Sequence, residues 1–172
     1  MIKQINKYIW LTPIFILIQI YVLNQVLFNG FSNPYIYILL IICLPQNTSR
    51  WLLLSFAFIL GILVDSFEIS LGIHSTACVL IAFIKPSIER IIIPRNTISE
   101  EDDLFLQKLG YKVFSIYSFL MILIHHSTLF LLVHFNIETL LKDVWKIILS
   151  SFITFIIIFI CQFFFFKRNK RE

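Results

Sequence analysis

Residues 144–166, VWKIILSSFITFIIIFICQFFFF, run straight into Lys167-Arg168-Asn169-Lys170-Arg171, and this stretch decides the class of the chain. As a helix it would rise about 35 Å, enough to cross the roughly 30 Å hydrocarbon core of a bilayer. Its only charge, Lys146, lies near the start, and the basic cluster behind it is a firm stop. Working back along the chain, the same pattern recurs. Apolar runs predict membrane spans over about 8–28, 31–45, 51–66, 70–85 and 111–135, with the last span over 144–166. The fold class that follows is all-α: a polytopic integral membrane protein of six transmembrane helices, built as a single membrane domain over 1–172.

The distribution of positive charge orients these spans. Threaded six times through a bilayer, the chain collects Lys3, Lys7, Arg50, Lys85, Arg90, Arg95, Lys108, Lys112, Lys167, Arg168, Lys170 and Arg171 on one side. Only Lys142 and Lys146 fall on the other, a split of 12 to 2 among the 14 Lys and Arg. Short cytoplasmic loops hold such an excess, so both termini and a loop over 86–110 are expected in the cytoplasm. Composition agrees. Residues are 59% hydrophobic and 14% charged, against about 45–50% and 25% in soluble domains. The net charge of +4 is spread along membrane flanks, where it meets anionic lipid, so the reading is a lipid-bilayer protein and not a nucleic-acid binder. Cys43, Cys78 and Cys161 all lie in apolar runs without a C-x-x-C pair, and read as small apolar fillers. The N-terminus has no small-x-small cleavage site after its apolar run and is read as a retained first span.

Within this frame several segments are unusual. The run from Pro34 to Pro45 is twelve residues bracketed by prolines, so the second span is either short or re-entrant. Gln19, Asn24 and Gln25 are polar inside the first span and are expected to face other helices, because lipid offers no partner. Pro13 is placed in the first turns of that span, where its missing N–H costs little. Asn29–Pro34 reads as a turn, and Asn136 to Asp143 as the last external loop.

Asp65 is the residue singled out first. It closes an apolar run, with Gly61 four residues earlier on the same helix face. A carboxylate at membrane depth costs about 2.5–3.5 kcal/mol on insertion scales and is normally turned inward or paired. Gly61 would let a neighbouring helix approach beside it. The competing reading puts Asp65 and Glu68 in a short external loop, sharing water. His74 opens the fourth span and is positioned to hydrogen-bond Asp65 or Glu68 across the turn. His125 and His126 fall in the fifth span, two turns before His134. No carboxylate at i±4 completes a metal set, so buried, neutral, hydrogen-bonded histidines are preferred to a metal or proton-relay role. Gly-x-Ser-x-Gly, His-Glu-x-x-His and phosphate-cradling loops are missing from the chain, which has only 4 glycines. Ser66, Ser70, Ser75 and Thr76 near His74 and Asp65 resemble a hydrolase set only superficially. No enzyme activity, cofactor or metal is expected.

The stretch Gly61-Ile62-Leu63-Val64-Asp65-Ser66-Phe67-Glu68-Ile69-Ser70-Leu71-Gly72-Ile73-His74, followed by an apolar helix ending in Lys85-Pro86, resembles the rod shape-determining MreD family, particularly its Bacteroidetes-type members. That family carries a G-x-x-x-D, a short spacer and an L-G-[IL]-[HN]-like run between two central helices. The resemblance implies a non-enzymatic component of the bacterial cell-elongation machinery in the cytoplasmic (inner) membrane. It implies as partners an MreC-like periplasmic scaffold, an MreB-like cytoskeletal filament and peptidoglycan synthases. Gly61, Asp65, Glu68, Gly72 and His74 are the structural or partner-contact candidates. The family's likeness to substrate-binding subunits of vitamin transporters keeps an alternative open: a small-molecule carrier or transporter subunit, with Gln19, Asn24, His125 and His126 lining a midplane cavity.

Overall fold

The computed structural model describes residues 2–25, 33–95, 97–134 and 137–165, and among these every regular element is helical. The helices are α1 (Ile2–Tyr21), α2 (Ile38–Ile42), α3 (Arg50–Glu68), α4 (Ile73–Ile92), α5 (Leu106–Leu109), α6 (Tyr111–His134) and α7 (Ile137–Phe165), with a 3₁₀ turn at Leu23–Gln25 after α1. Among the described residues four stretches are long and apolar enough to cross a membrane: Asn6–Gln25, Arg50–Glu68, Tyr111–His134 and Leu141–Phe163.

α7 packs in the reverse of the soluble pattern, whereas α1, α3 and α6 bury large apolar side chains such as Phe15, Leu60 and Phe114. The buried stripe of α7 is Ile147, Ser150, Ser151, Thr154, Ile158 and Gln162, recurring at three- and four-residue intervals. Its exposed residues include Trp145, Ile148, Phe152, Ile156, Ile160 and Phe163. Small and polar residues inside with large apolar ones outside is the arrangement lipid favours, because close approach and interhelical hydrogen bonds hold the helices together there. Trp10 and Trp51, one on each of α1 and α3, also point outward.

At the centre lies the proline-bracketed segment. Residues 36–45 are all buried, and α2 within them has only five residues. The segment runs antiparallel to α1. Its start contacts Gln19, whose Nε2 donates to Pro34 O, and its end contacts Tyr8, whose hydroxyl donates to Cys43 O. Tyr8 and Gln19 are eleven positions apart on α1, so the segment covers about 16 Å, roughly half the hydrocarbon thickness. Backbone left without helix partners at such depth is tolerated only when it is buried in protein and satisfied there. Here side chains from four helices do that. Gln19 Oε1 accepts from Ile36 N and Thr154 Oγ1 from Tyr35 N at the start. At the end, the hydroxyl of Tyr117 donates to Ile42 O, Tyr8 to Cys43 O, and Lys85 Nζ to Leu44 O. Leu104 N also donates to Cys43 O.

Several boundaries differ from the expected ones. α1 begins at Ile2, so Pro13 is mid-helix and not in the first turn. α4 continues through Pro86 to Ile92 and does not end at residue 85, which shortens the expected 86–110 loop; α5 occupies part of what remains. Proline lacks an N–H and disfavours helix in the residue before it, but neither effect is prohibitive where packing holds the helix. The last external loop expected over Asn136–Asp143 is instead helical from Ile137. Of the first-span polar residues, Gln19 is buried and Asn24 partly so, whereas Gln25 is exposed. Most of the turn expected at Asn29–Pro34 and the basic stop at Lys167–Arg171 lie outside the described residues.

Candidate functional site

Asp65 sits in the last turn of α3, 8% exposed, and every one of its acceptor positions is used. Oδ1 accepts from Ser70 Oγ (2.6 Å) and from the backbone N–H of His74 (2.9 Å). Oδ2 accepts from the backbone N–H of Ser75 (2.9 Å) and from Ser75 Oγ (2.6 Å). The first turn of any helix leaves N–H groups without partners and carries partial positive charge. No side chain caps α4 from its own N-cap position, Gly72. The carboxylate of Asp65 takes that role from the neighbouring helix, so α3 and α4 are tied into one hairpin. Charge-assisted bonds of this kind are about twice as strong as neutral ones. Asp65 is therefore interior, and the loop reading in which it shares water does not describe it.

Gly61 makes this geometry reachable. A Cβ at Gly61 would lie 2.2 Å from Ser75 Cα and 2.6 Å from Ser75 N, so the two backbones touch where any other residue would hold them apart. The turn between them adopts two left-handed conformations, Gly72 at φ +83° and Ile69 at φ +53°. Glycine takes that region freely, but a β-branched residue does so only under strain. Ile69 is held there as the C-cap of α3, its N–H bonded to Asp65 O, and Ser70 N donates to the same oxygen. The strained turn pushes apolar side chains outward: Ile69 is 90% and Leu71 100% exposed.

Beside the hairpin a second polar set continues inward. Glu68 Oε2 lies 2.8 Å from His74 Nε2, and Asn24 Nδ2 donates to Glu68 Oε1 (3.0 Å). His74 Nδ1 is 2.7 Å from the hydroxyl of Tyr37, which is 3.1 Å from His125 Nε2. His126 Nε2 pairs with Thr154 Oγ1 at 2.9 Å. The ring of Tyr35 packs against the rings of Tyr37, His74, His125 and His126. His125 and His126 are both fully buried. All five candidate residues of the Gly61–His74 stretch thus fall in one hairpin, and His125 joins it through Tyr37.

Tyr35 and Tyr37 carry this connection and went unnoticed in the sequence, because an apolar twelve-residue run offers no hint that two of its aromatic hydroxyls or rings face histidines. Also unforeseen is the pair at the other end of the bundle, Lys85 with Glu89, both nearly fully buried and in direct contact. Tyr117 OH approaches Glu89 as well, at 3.4 Å. The i, i+4 spacing of Lys85 and Glu89 was the available signal. At the same end Asp103 joins Lys7 (3.0 Å) and the Tyr8 hydroxyl (2.7 Å). A cavity of about 670 Å³ opens there, lined by Gln46, Pro86, Glu89, Arg90, Arg95 and Glu100 among others. Gln19, Asn24, His125 and His126 are not among its walls. No group of three or more His, Cys, Asp or Glu with metal-site geometry occurs among the described residues.

Comparison with protein-family models, with curated proteins and with solved structures finds no match. Among the described residues the protein is all-helical, with four helices long and apolar enough to cross a membrane.

Proposed function

We propose that the chain is a non-enzymatic component of the bacterial cell-shape and elongation machinery, embedded in the cytoplasmic membrane with both termini inside. In this reading α1, the Pro34–Pro45 segment, α3, α4, α6 and α7 make six passes, the second of them at half depth. The α3–α4 turn then faces the periplasm and contacts a periplasmic scaffold protein, while the opposite end meets the cytoskeletal filament and the peptidoglycan synthases. The 12-to-2 charge split supports the orientation.

One observation carries the reading. The Gly61–His74 stretch, on which the resemblance to the MreD family rests, forms a hairpin locked by Asp65 that displays Ile69 and Leu71 to solvent. Holding a β-branched residue in a left-handed conformation costs roughly 1–2 kcal/mol. A turn that keeps this strain and also exposes two large apolar side chains is suited to contact, because a partner would bury them. The test is co-purification of the full chain, from its native membrane, with a periplasmic coiled-coil protein. Ile69→Ser with Leu71→Ser should abolish the association while leaving the chain folded; undiminished association would remove the turn from the interface.

A further inference from the structure

The contacts Glu68–His74–Tyr37–His125 form one continuous chain from the edge of the bundle into its core. Each link is a single hydrogen bond between two groups that can both donate and accept, and the last atom, His125 Nδ1, is buried without a partner among the described residues. With Glu68 ionised and both imidazoles neutral, only one proton arrangement satisfies the three contacts. Glu68 must accept from His74 Nε2–H, so His74 Nδ1 is a bare lone pair and accepts from the Tyr37 hydroxyl. The Tyr37 oxygen then accepts from His125 Nε2–H, which leaves His125 Nδ1 as a bare lone pair in the core. Every donor in the chain points toward Glu68.

We propose that this chain is a proton-transfer site that takes up one proton at His125 Nδ1 and delivers it to Glu68. A hydronium ion reaching the core protonates Nδ1, and His125 releases its Nε2 proton to the Tyr37 oxygen. Tyr37 passes its own hydroxyl proton to His74 Nδ1, and His74 passes its Nε2 proton to Glu68 Oε2. One N–H bond forms and one breaks at each histidine, the tyrosine exchanges one O–H for another, and the carboxylate becomes a carboxylic acid. No electrons change hands and neither histidine ends charged. All three hydrogen bonds survive, reversed in direction. Glu68 is the partly exposed end, with its side chain 19% exposed against 5% for that of His74, so a proton arriving there reaches the edge of the bundle.

The surroundings are compatible with this. On α3, Asp65 holds the backbone N–H of His74 and leaves the ring free for the relay. On α4, Cys78 lies near Tyr37; on α6, His126 is occupied by Thr154 of α7; from the turn after α1, Asn24 steadies Glu68. Tyr35 packs its ring on both relay histidines. Tyr37 is the N-cap residue of α2, so a reversal of its hydroxyl occurs at the start of the buried half-helix.

The experiment is nitrogen-15 NMR of the full chain, labelled at histidine and reconstituted in phospholipid bilayers, followed through a pH titration. Above the transition, His74 and His125 should both carry the proton on Nε2. On acidification both should move it to Nδ1 with a single shared midpoint. Tyr37→Phe, which removes the bridging hydroxyl, should split that transition into two separate midpoints, and Glu68→Gln should abolish the shared step. If Tyr37→Phe does not fold, the wild type and Glu68→Gln decide the matter alone. A proton on His125 Nδ1 throughout, separate midpoints in the wild type, or a shared midpoint that survives either substitution would overturn the proposal.

Discussion

Gly61→Ala sets two physical effects of opposite sign against each other, and the structure says which wins. On intrinsic propensity alone, alanine in a helix interior should stabilise α3 by about 0.8–1.0 kcal/mol over glycine. Against this stands the contact with α4. The new Cβ would lie 2.2 Å from Ser75 Cα, whereas carbon atoms pack at about 3.5–4.0 Å. The obstacle is backbone, which cannot rotate aside, so the helices must part by roughly 1.5 Å at this level. Asp65 spans the same gap with bonds of 2.6–2.9 Å to Ser75 and His74. Adding 1.5 Å to these carries them past the limit of about 3.2 Å. Overpacking costs about 1–3 kcal/mol, and each lost hydrogen bond to a charged group about 1.5–3 kcal/mol. Even with partial relaxation, the net loss should be on the order of 3–5 kcal/mol, a large part of a typical 5–15 kcal/mol total. Reversible unfolding in mixed micelles would measure it, with the exposed Ser66→Ala as a control expected to fall within about 0.5 kcal/mol of the parent. If Gly61→Ala is as stable as the parent or more so, the close contact and the Asp65 clasp are not as described.

Four further outcomes follow from the same geometry. Asp65→Asn keeps the shape but turns an amide NH₂ toward a backbone N–H of His74 or Ser75, so unfolding measurements should show a loss of about 1–3 kcal/mol. Ile69→Gly removes the left-handed strain and should raise stability by about 1 kcal/mol while weakening capture of the proposed scaffold protein, two effects that move in opposite directions. Lys85→Met alone leaves Glu89 buried beside Tyr117 without its cation and should cost about 3–5 kcal/mol; Lys85→Met with Glu89→Leu should cost clearly less, as read by thermal unfolding in bicelles. Tyr117→Phe removes the donor to Ile42 O from the end of the half-helix and should destabilise by about 1–2 kcal/mol, with faster backbone hydrogen exchange confined first to residues 38–44.

Much of the fold was legible because lipid imposes simple rules. Length and hydropathy locate α3, α6 and α7, and the prolines at 34 and 45 mark a segment too short to span by itself. The pairing of Gly61 with Asp65 was readable too, since a carboxylate beside a small residue at membrane depth needs a close helix partner. The sequence did not reveal where Asp65 finds its donors. They are backbone N–H groups of the next helix, and backbone donors leave no trace in residue identity. Lys85-Pro86 reads as a helix end, yet α4 runs on to Ile92. There the buried partnership of Lys85 with Glu89 and Leu44 O outweighs the local preference for a break. The relay through Tyr37 was hidden for a similar reason: it joins residues 37, 68, 74 and 125, and only the central position of the half-helix brings them together.

The proposal that this protein is a shape-determining membrane component is tested most directly by depleting it in its native host and measuring cell shape and growth requirements together. Rounding of the cells on unsupplemented medium, restored by the wild-type chain but not by Gly61→Ala, is the predicted result. Cells that keep their shape and instead acquire a requirement for a nutrient would contradict it and identify the chain as a transporter component.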